Sequence, residues 1–267
     1  MFLPVLYELP MGLISTLILV CLITAVEIGY RFGWYQRRRW ENIESGGGAV
    51  VQTSILALLG LLLAFTYGAG VSRFDARKSA VIQEVNAIGS AFNVADLIAE
   101  PERTGLRQAL LDYARTRTAE LPTTPTAEQL EAAIRITTEA QSKIWPLVNR
   151  AVGKAASPAI QGALISNTNH VLDMHQVRLA AINDFLPISI VILQLFVASA
   201  SLTVVGFNTG LSGRISRWRM YVLALVVTAI MFVILDFDLS KAGFIQVNDT
   251  GLKELVLAME AEIAGGQ

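Results

Sequence analysis

The sequence has little of what catalytic and disulfide-stabilised proteins depend on, since its 267 residues include one cysteine and two histidines. A lone cysteine, Cys21, forms neither a disulfide nor a thiolate metal site within its own chain. The histidines, His170 and His175, are five residues apart, which on a helix places them about 140° from each other. Because metal ligands must converge on one point, we expect no metal and no cofactor.

Charge is scarce as well, because Asp, Glu, Lys and Arg make up only 16% of the residues and the net charge is -1. Lys and Arg are scattered and form no long basic block, which excludes the electrostatic footprint of a nucleic-acid-binding protein. The sequence also lacks a Gly-x-Ser-x-Gly elbow, a glycine-rich phosphate loop and a His-Glu-x-x-His zinc helix. We therefore expect neither an enzyme nor a nucleic-acid partner.

Apolar residues are abundant instead: 53% of the residues are hydrophobic and the mean hydropathy is +0.51, values too apolar for a soluble domain. Crossing the hydrocarbon core takes about 20 helical residues. Four runs are long enough, at roughly 11–30, 50–70, 187–207 and 219–236. The predicted fold class is all-α: a polytopic membrane protein, partnered by the lipid bilayer, with four transmembrane helices and a helical-bundle insert between the second and third.

This pattern divides the chain into four parts. They are a first transmembrane hairpin at 1–70, a water-facing helical domain at 71–186, a second transmembrane hairpin at 187–236 and a C-terminal tail at 237–267. The first span is interpreted as retained, since residues 1–10 contain no Lys or Arg and no small-residue cleavage site follows. Arginines concentrate in the two short loops, as Arg31, Arg37, Arg38, Arg39, Arg214, Arg217 and Arg219. Basic short loops stay in the cytoplasm, so we expect the large helical domain on the non-cytoplasmic side.

Periodicity predicts only helices in the insert. The second span should continue to about Glu100, with one apolar stripe formed by Val81, Val85, Ile88, Phe92 and Ala95. Pro101 opens a helix that ends near Glu120, and a Thr126 and Gln129 capping box opens the next, with a kink at Trp145 and Pro146. Ser157 and Pro158 begin the helix that leads to the third span.

Three carboxylates lie at membrane depth, where an ionised side chain is costly and faces a partner or a cavity. Glu27 precedes Arg31 by four residues, the favourable order for a helical ion pair. The alternative for Glu27 is a pore-lining or proton-sensing role. Asp236 and Asp238 end the fourth span, and we favour an interfacial structural role over cation binding because neighbours at i and i+2 point about 200° apart.

The second span carries two different faces. Gly60, Ala64 and Gly68 form a small-xxx-small pattern, which allows close helix packing in lipid. Leu58, Leu62 and Phe65 lie roughly opposite. An apolar constriction between polar mouths is typical of a dewetting gate, but lipid-facing side chains produce the same pattern.

Several stretches resemble the bestrophin-like family of bacterial membrane proteins. They run from Leu61 to Lys78 (LLLAFTYGAGVSRFDARK), from Glu84 to Gly89 (EVNAIG), at Pro101-Glu102-Arg103, at Leu235-Asp236-Phe237-Asp238 and from Gly243 to Val247 (GFIQV). The resemblance extends remotely to bestrophins, which are oligomeric, commonly pentameric anion channels whose second span lines the pore. It implies a homo-oligomer in the bacterial inner membrane that handles inorganic ions. Bestrophins place their large helical region in the cytosol, opposite to the side that the charges of this sequence predict.

The resemblance also implies roles for particular residues. The apolar neck of the pore would consist of Leu58, Leu61, Leu62 and Phe65. Arg73, Asp75 and Arg77 would be vestibule or structural charges. Two hypotheses follow: an oligomeric ion channel, anion-conducting, with the second span lining the pore, or a non-conducting membrane sensor or scaffold whose helical domain binds a ligand or partner.

Overall fold

The computed structural model describes residues 11–39, 46–118, 127–213, 217–238 and 247–265. Every regular element in these ranges is helical, which confirms the predicted all-α class. The α-helices are α1 (Met11–Arg39), α2 (Gly46–Val94), α3 (Glu102–Thr118), α4 (Ala127–Ser142), α5 (Ile144–Val152), α6 (Pro158–Asn183), α7 (Ile188–Leu211), α8 (Trp218–Asp238) and α9 (Thr250–Gly265).

Four helices are long and apolar enough to cross a membrane, and the four predicted spans lie within α1, α2, α7 and α8. The protein is therefore an integral membrane protein. α2 is one helix of 49 residues, and a 3₁₀ turn at Ala95–Leu97 follows it directly. The predicted continuation of the second span is thus confirmed, and it ends shortly before Pro101.

The helices of the insert begin and end close to the predicted positions. At the start of α6, the Ser157 hydroxyl accepts a hydrogen bond from the Ile160 amide at 3.4 Å, with Pro158 in the first turn. The predicted kink at Trp145 and Pro146 is instead a break at Lys143. Pro146 then lies in the first turn of α5, where its missing N–H is not needed. The Thr126 cap lies outside the described residues.

The chain forms two compact units: Met1–Arg73 with Phe185–Ile245, and Phe74–Asp184 with Gln246–Gln267. We call them the membrane unit and the helical unit. In the helical unit the predicted stripe of α2 is buried with Leu106, Leu110 and Tyr113 of α3. The same core includes Leu252 and Met259 of α9, a helix that the sequence analysis left within a tail.

In the membrane unit, α1 and α7 pack backbone against backbone. Gly29 and Gly33 of α1 face Gly206 and Gly210 of α7 so closely that a Cβ atom on any of them would collide with main-chain atoms of the other helix. Two small-xxx-small pairs therefore meet across this interface, which is the packing that lipid-embedded helices favour.

Candidate functional site on the second span

The predicted neck residues lie on an uncovered face of α2. Phe65 is 70% exposed in the single chain, Leu58 61% and Leu61 54%, while Leu62 is half-buried. Only 11% of the apolar window of α2 is buried inside the chain, against 44% for α8. The second span is thus the least covered of the four, and most of its apolar surface is left for lipid or for another copy.

The small residues of α2 are uncovered as well. A Cβ atom added to Gly60 or Gly68 would meet nothing within 4 Å, and Ala64 is exposed. The predicted packing stripe is therefore not used within the single chain. Its chemistry suits an approach by a neighbouring helix from outside.

The opposite face of α2 is fixed to α7 by polar contacts as well as by Leu59 and Leu63. Gln194 is buried and donates a hydrogen bond to the Thr66 hydroxyl. The Asn208 amide donates to the Gly48 carbonyl and to the Gln52 side chain, both at 2.9 Å. These bonds fix which side of α2 faces outward, because rotating the helix would leave amide groups unpaired in an apolar environment.

Glu27 lies in a charged cluster of the membrane unit. The predicted ion pair with Arg31 is present at 2.9 Å. Arg217 also approaches Glu27 at 3.3 Å, and the Tyr221 hydroxyl donates to it at 3.2 Å. These partners satisfy the carboxylate on α1 without any contact to the uncovered face of α2.

The acidic pair at the end of α8 is buried. Asp238 accepts hydrogen bonds from the Leu186 amide, just before α7, through its two oxygens at 2.9 and 3.1 Å. Asp236 is likewise buried. The structural role of Asp236 and Asp238 stays a prediction.

Arg73, Asp75 and Arg77 follow the second span and differ in exposure. Arg77 is buried in the helical unit, where it donates to the Ala181 carbonyl at 3.1 Å and to the Asp184 carbonyl at 2.8 Å, at the C-terminal end of α6. A cation at this position also offsets the negative end of the helix dipole. Both roles predicted for Arg77, vestibule and structural, stay predictions. Arg73 is half-buried and Asp75 is exposed.

A buried carboxylate that the sequence analysis did not single out organises the helical unit. Glu84 on α2 is 0% exposed and accepts from Tyr113 at 2.9 Å, from Arg117 at 2.8 Å and from Arg178 at 2.7 Å. Arg178 in turn donates to Asp249, just before α9, at 3.1 Å. One network thus joins α2, α3, α6 and the start of α9.

The electrostatics of Glu84 follow from these partners. Burial alone would raise the pKa of its carboxyl, but the charges around it lower that pKa from 4.5 to about 2. His175, whose Nδ1 lies 3.8 Å from the carboxylate, and the charges of Arg117 and Arg178 lower this pKa. Burial and the neighbouring Glu84 charge raise the pKa of the Tyr113 phenol. Glu84 is therefore ionised and Tyr113 neutral at physiological pH.

His170 and His175 do not come together, as the helical spacing predicts. His175 is buried beside Glu84, whereas His170 is exposed on another face of α6. Within the described ranges, no group of three or more His, Cys, Asp or Glu side chains could hold a metal ion.

Comparisons with known proteins agree with this architecture. A family model described as the Bestrophin-like domain matches residues 12–252. The chain belongs to the bestrophin-like family. A search of curated proteins finds no match to this bestrophin-like chain.

Solved structures of a bacterial Bestrophin homolog from Klebsiella pneumoniae share its fold. One mutant form is 13% identical with a TM-score of 0.62, and the match covers 96% of this chain and 99% of that one. A second is 13% identical with a TM-score of 0.62, covering 94% and 98%. A third is 18% identical with a TM-score of 0.54, covering 94% and 96%. The bestrophin-like chain therefore has the fold of these proteins over nearly its whole length.

Proposed function

We propose that this bestrophin-like protein is a homo-oligomeric ion channel in which copies of α2 line a central pore. The observation that carries the proposal is the uncovered face of α2, where exposed Leu58, Leu61 and Phe65 adjoin the unpacked Gly60 and Gly68. A four-span chain is too small to enclose a hydrated pore alone, so the pore requires several copies. Small residues let neighbouring copies approach, and the apolar side chains form the neck.

The proposal extends to the ion and to the number of copies. Arg73 follows the apolar stretch of α2, and a guanidinium at a pore mouth raises the local concentration of anions. Bestrophins, which the sequence resembles remotely, are commonly pentameric anion channels, and the proposal extends both properties to this protein. Arg73→Gln should therefore shift the reversal potential in a KCl gradient toward the potassium potential.

Planar-bilayer recordings on purified protein test conduction, and native mass spectrometry of the same preparation counts the copies. We expect single-channel currents from the wild type, and a larger leak from Phe65→Ala because the neck is wider. Leu257→Ala is a matched control, since Leu257 is as exposed as the neck residues but lies on α9 of the helical unit. Absence of current across salt gradients and pH, together with a monomeric mass, would remove the channel function.

One observation favours the second function, a non-conducting sensor or scaffold whose helical unit binds a ligand or partner. α2 belongs to both units as a single uninterrupted helix, which suits transmission of a shift along its axis. A stable oligomer without current under any condition would support this function over the channel.

We also propose that the protein resides in the bacterial inner membrane with its arginine-rich short loops in the cytoplasm. Residues 74–184 would then lie on the non-cytoplasmic side, as the charge bias predicts. Exposed Ser166 and Ser212 offer labelling positions on the two sides. In a Cys21→Ser background, an impermeant thiol reagent added to whole cells should label Ser166→Cys and not Ser212→Cys. The reverse pattern would place the helical unit in the cytosol.

A further inference from the structure

One end of the membrane unit carries an excess of positive charge. Segments 27–49 and 212–219 together contain seven arginines and three glutamates. The end of α1 and the start of α8 meet there, since Arg217 pairs with Glu27 and its guanidinium lies 4.4 Å from the Tyr30 ring. Six of these arginines are in the described ranges and all are exposed: Arg31, Arg37, Arg38, Arg39, Arg217 and Arg219.

Only part of this charge is neutralised by the protein. Glu27 pairs with Arg31 and Arg217. Among the residues whose placement is described, no carboxylate pairs with the other four, Arg37, Arg38, Arg39 and Arg219, which we call the arginine cluster. Glu41 and Glu44 lie outside the described residues, and even with both counted the two segments keep an excess of four positive charges.

Aromatic side chains contact three of the four arginines in the cluster. The Arg38 guanidinium lies 3.6 Å from the Trp34 ring centroid, and that of Arg219 lies 5.8 Å from the Trp218 ring. Arg39 donates to the Tyr35 hydroxyl at 3.2 Å. A guanidinium held by a ring loses less conformational entropy when it binds a ligand, and its N–H groups stay available.

The same aromatic residues indicate at which depth of the bilayer the arginine cluster lies. Trp34, Tyr35 and Trp218 are exposed at the ends of two membrane spans, with Trp218 at 62%. Exposed Trp and Tyr at span ends lie at the level of the lipid headgroups. The arginine cluster is therefore at the depth of the phosphodiester groups, which match a guanidinium in charge and in hydrogen-bond geometry.

We propose that the arginine cluster, with Trp34 beside Arg38 and Trp218 beside Arg219, binds headgroup phosphates of anionic phospholipids. This inference concerns a different part of the molecule from the uncovered face of α2, and it does not depend on ion conduction.

Native mass spectrometry of purified protein, with phosphatidylglycerol and phosphatidylcholine of identical acyl chains in equal amounts, tests the proposal. The wild type should retain phosphatidylglycerol about tenfold better, because both lipids carry the phosphodiester but the choline cation of phosphatidylcholine offsets its charge. Arg38→Gln with Arg219→Gln should reduce that preference to near one, and Arg38→Lys with Arg219→Lys should retain part of it. Arg103→Gln with Arg115→Gln removes the same charge from exposed arginines of the helical unit and should leave the preference intact.

Three results would overturn the proposal: no headgroup preference in the wild type, an unchanged preference in the folded glutamine variant, or displacement of phosphatidylglycerol by excess inorganic phosphate. The last would show that the cluster takes a free anion instead of a lipid. Circular dichroism and size-exclusion chromatography establish that each variant is folded, and the lysine variant separates loss of charge from loss of fold.

Discussion

The membrane unit and the helical unit are held together in different ways. In the membrane unit, α1 and α7 approach through glycines until their backbones touch, and the amides of buried Gln194 and half-buried Asn208 form hydrogen bonds between helices. In the helical unit, large side chains such as Phe92 and Tyr113 fill the core around one ionised carboxylate, Glu84. Lipid supplies no hydrophobic driving force between helices, so close approach replaces it there. The helical unit instead buries large apolar side chains, the kind of packing that the hydrophobic effect favours.

The two units also differ in what they leave uncovered. In the helical unit the apolar stripe of α2 lies in one core with residues of α3 and α9. The membrane unit leaves the neck candidates of the same helix exposed. One helix can thus have its apolar stripe buried in one unit and leave apolar side chains uncovered in the other.

The largest expected effect is a loss of stability in the helical unit when Glu84 is substituted. Glu84→Gln removes the charge that Arg117 and Arg178 face in the core, and an unpaired buried charge costs about 3–5 kcal/mol. Urea unfolding should follow Trp145, which packs against the core of the helical unit, in a background where the other three tryptophans are phenylalanine. Glu100→Gln, in an exposed pair with Arg103, should leave the free energy of unfolding nearly unchanged. Equal stability of both variants would contradict this role for Glu84.

Acid should weaken the helical unit through the same carboxylate. Its pKa is about 2 in the folded protein and 4.5 for an ordinary glutamate, so the folded state favours the ionised form. This stabilisation is complete above pH 4.5 and is lost as pH falls toward 2, and it amounts to about 3 kcal/mol. Measuring the unfolding free energy of the wild type and of Glu84→Gln as a function of pH isolates this contribution. Parallel curves for the two proteins below pH 5 would refute the assignment.

Gly206→Ala should destabilise the membrane unit and spare the helical unit. The added methyl group would collide with the Val26 carbonyl, and overpacking of this kind costs about 2 kcal/mol. Thermal denaturation in detergent should show a lower transition temperature, whereas the Trp145 signal of the helical unit should unfold at the same urea concentration as the wild type. Gly12→Ala, where a Cβ meets nothing within 4 Å, is the matched control.

The smallest expected effect is at the start of α6. Ser157→Ala removes the side-chain cap on the Ile160 amide and should cost about 1 kcal/mol in the helical unit. Ser166→Ala, an exposed position on the same helix, should be neutral or slightly stabilising because Ala is the better helix former. A Ser157→Ala protein as stable as the wild type would show that water replaces the cap.

Periodicity and hydropathy predict most of the fold correctly. The apolar stripe of α2 and the cap at Ser157 lie where the pattern places them, because both depend on neighbours three or four residues away. Hydrophobicity alone does not predict burial, however, because Ile134 and Ile136 are both exposed on α4. α9 has the same regular spacing, with Leu252, Val256 and Met259 buried. That apolar spacing is the signal that indicates a helix within the C-terminal tail.

The features that the sequence does not predict depend on residues that lie far apart along the chain. Glu84 falls on the apolar stripe between Val81 and Ile88, and a charge at such a position indicates a buried partner. Its partners, however, come from α3 and α6, more than 25 residues away, and no local pattern names them. Likewise, the small residues of α2 have the same four-residue spacing as the glycines with which α1 and α7 pack together. Sequence alone does not tell which stripe packs within the chain and which faces outward.

Thiol modification at the neck tests the central claim most directly. Phe65→Cys in a Cys21→Ser background places the single reactive thiol on the uncovered face of α2. If copies of this face surround a pore, a charged methanethiosulfonate reagent should change the single-channel current of Phe65→Cys and leave the Cys21→Ser protein unaffected. A cysteine that reacts completely while the current stays unchanged would contradict a pore lined by α2.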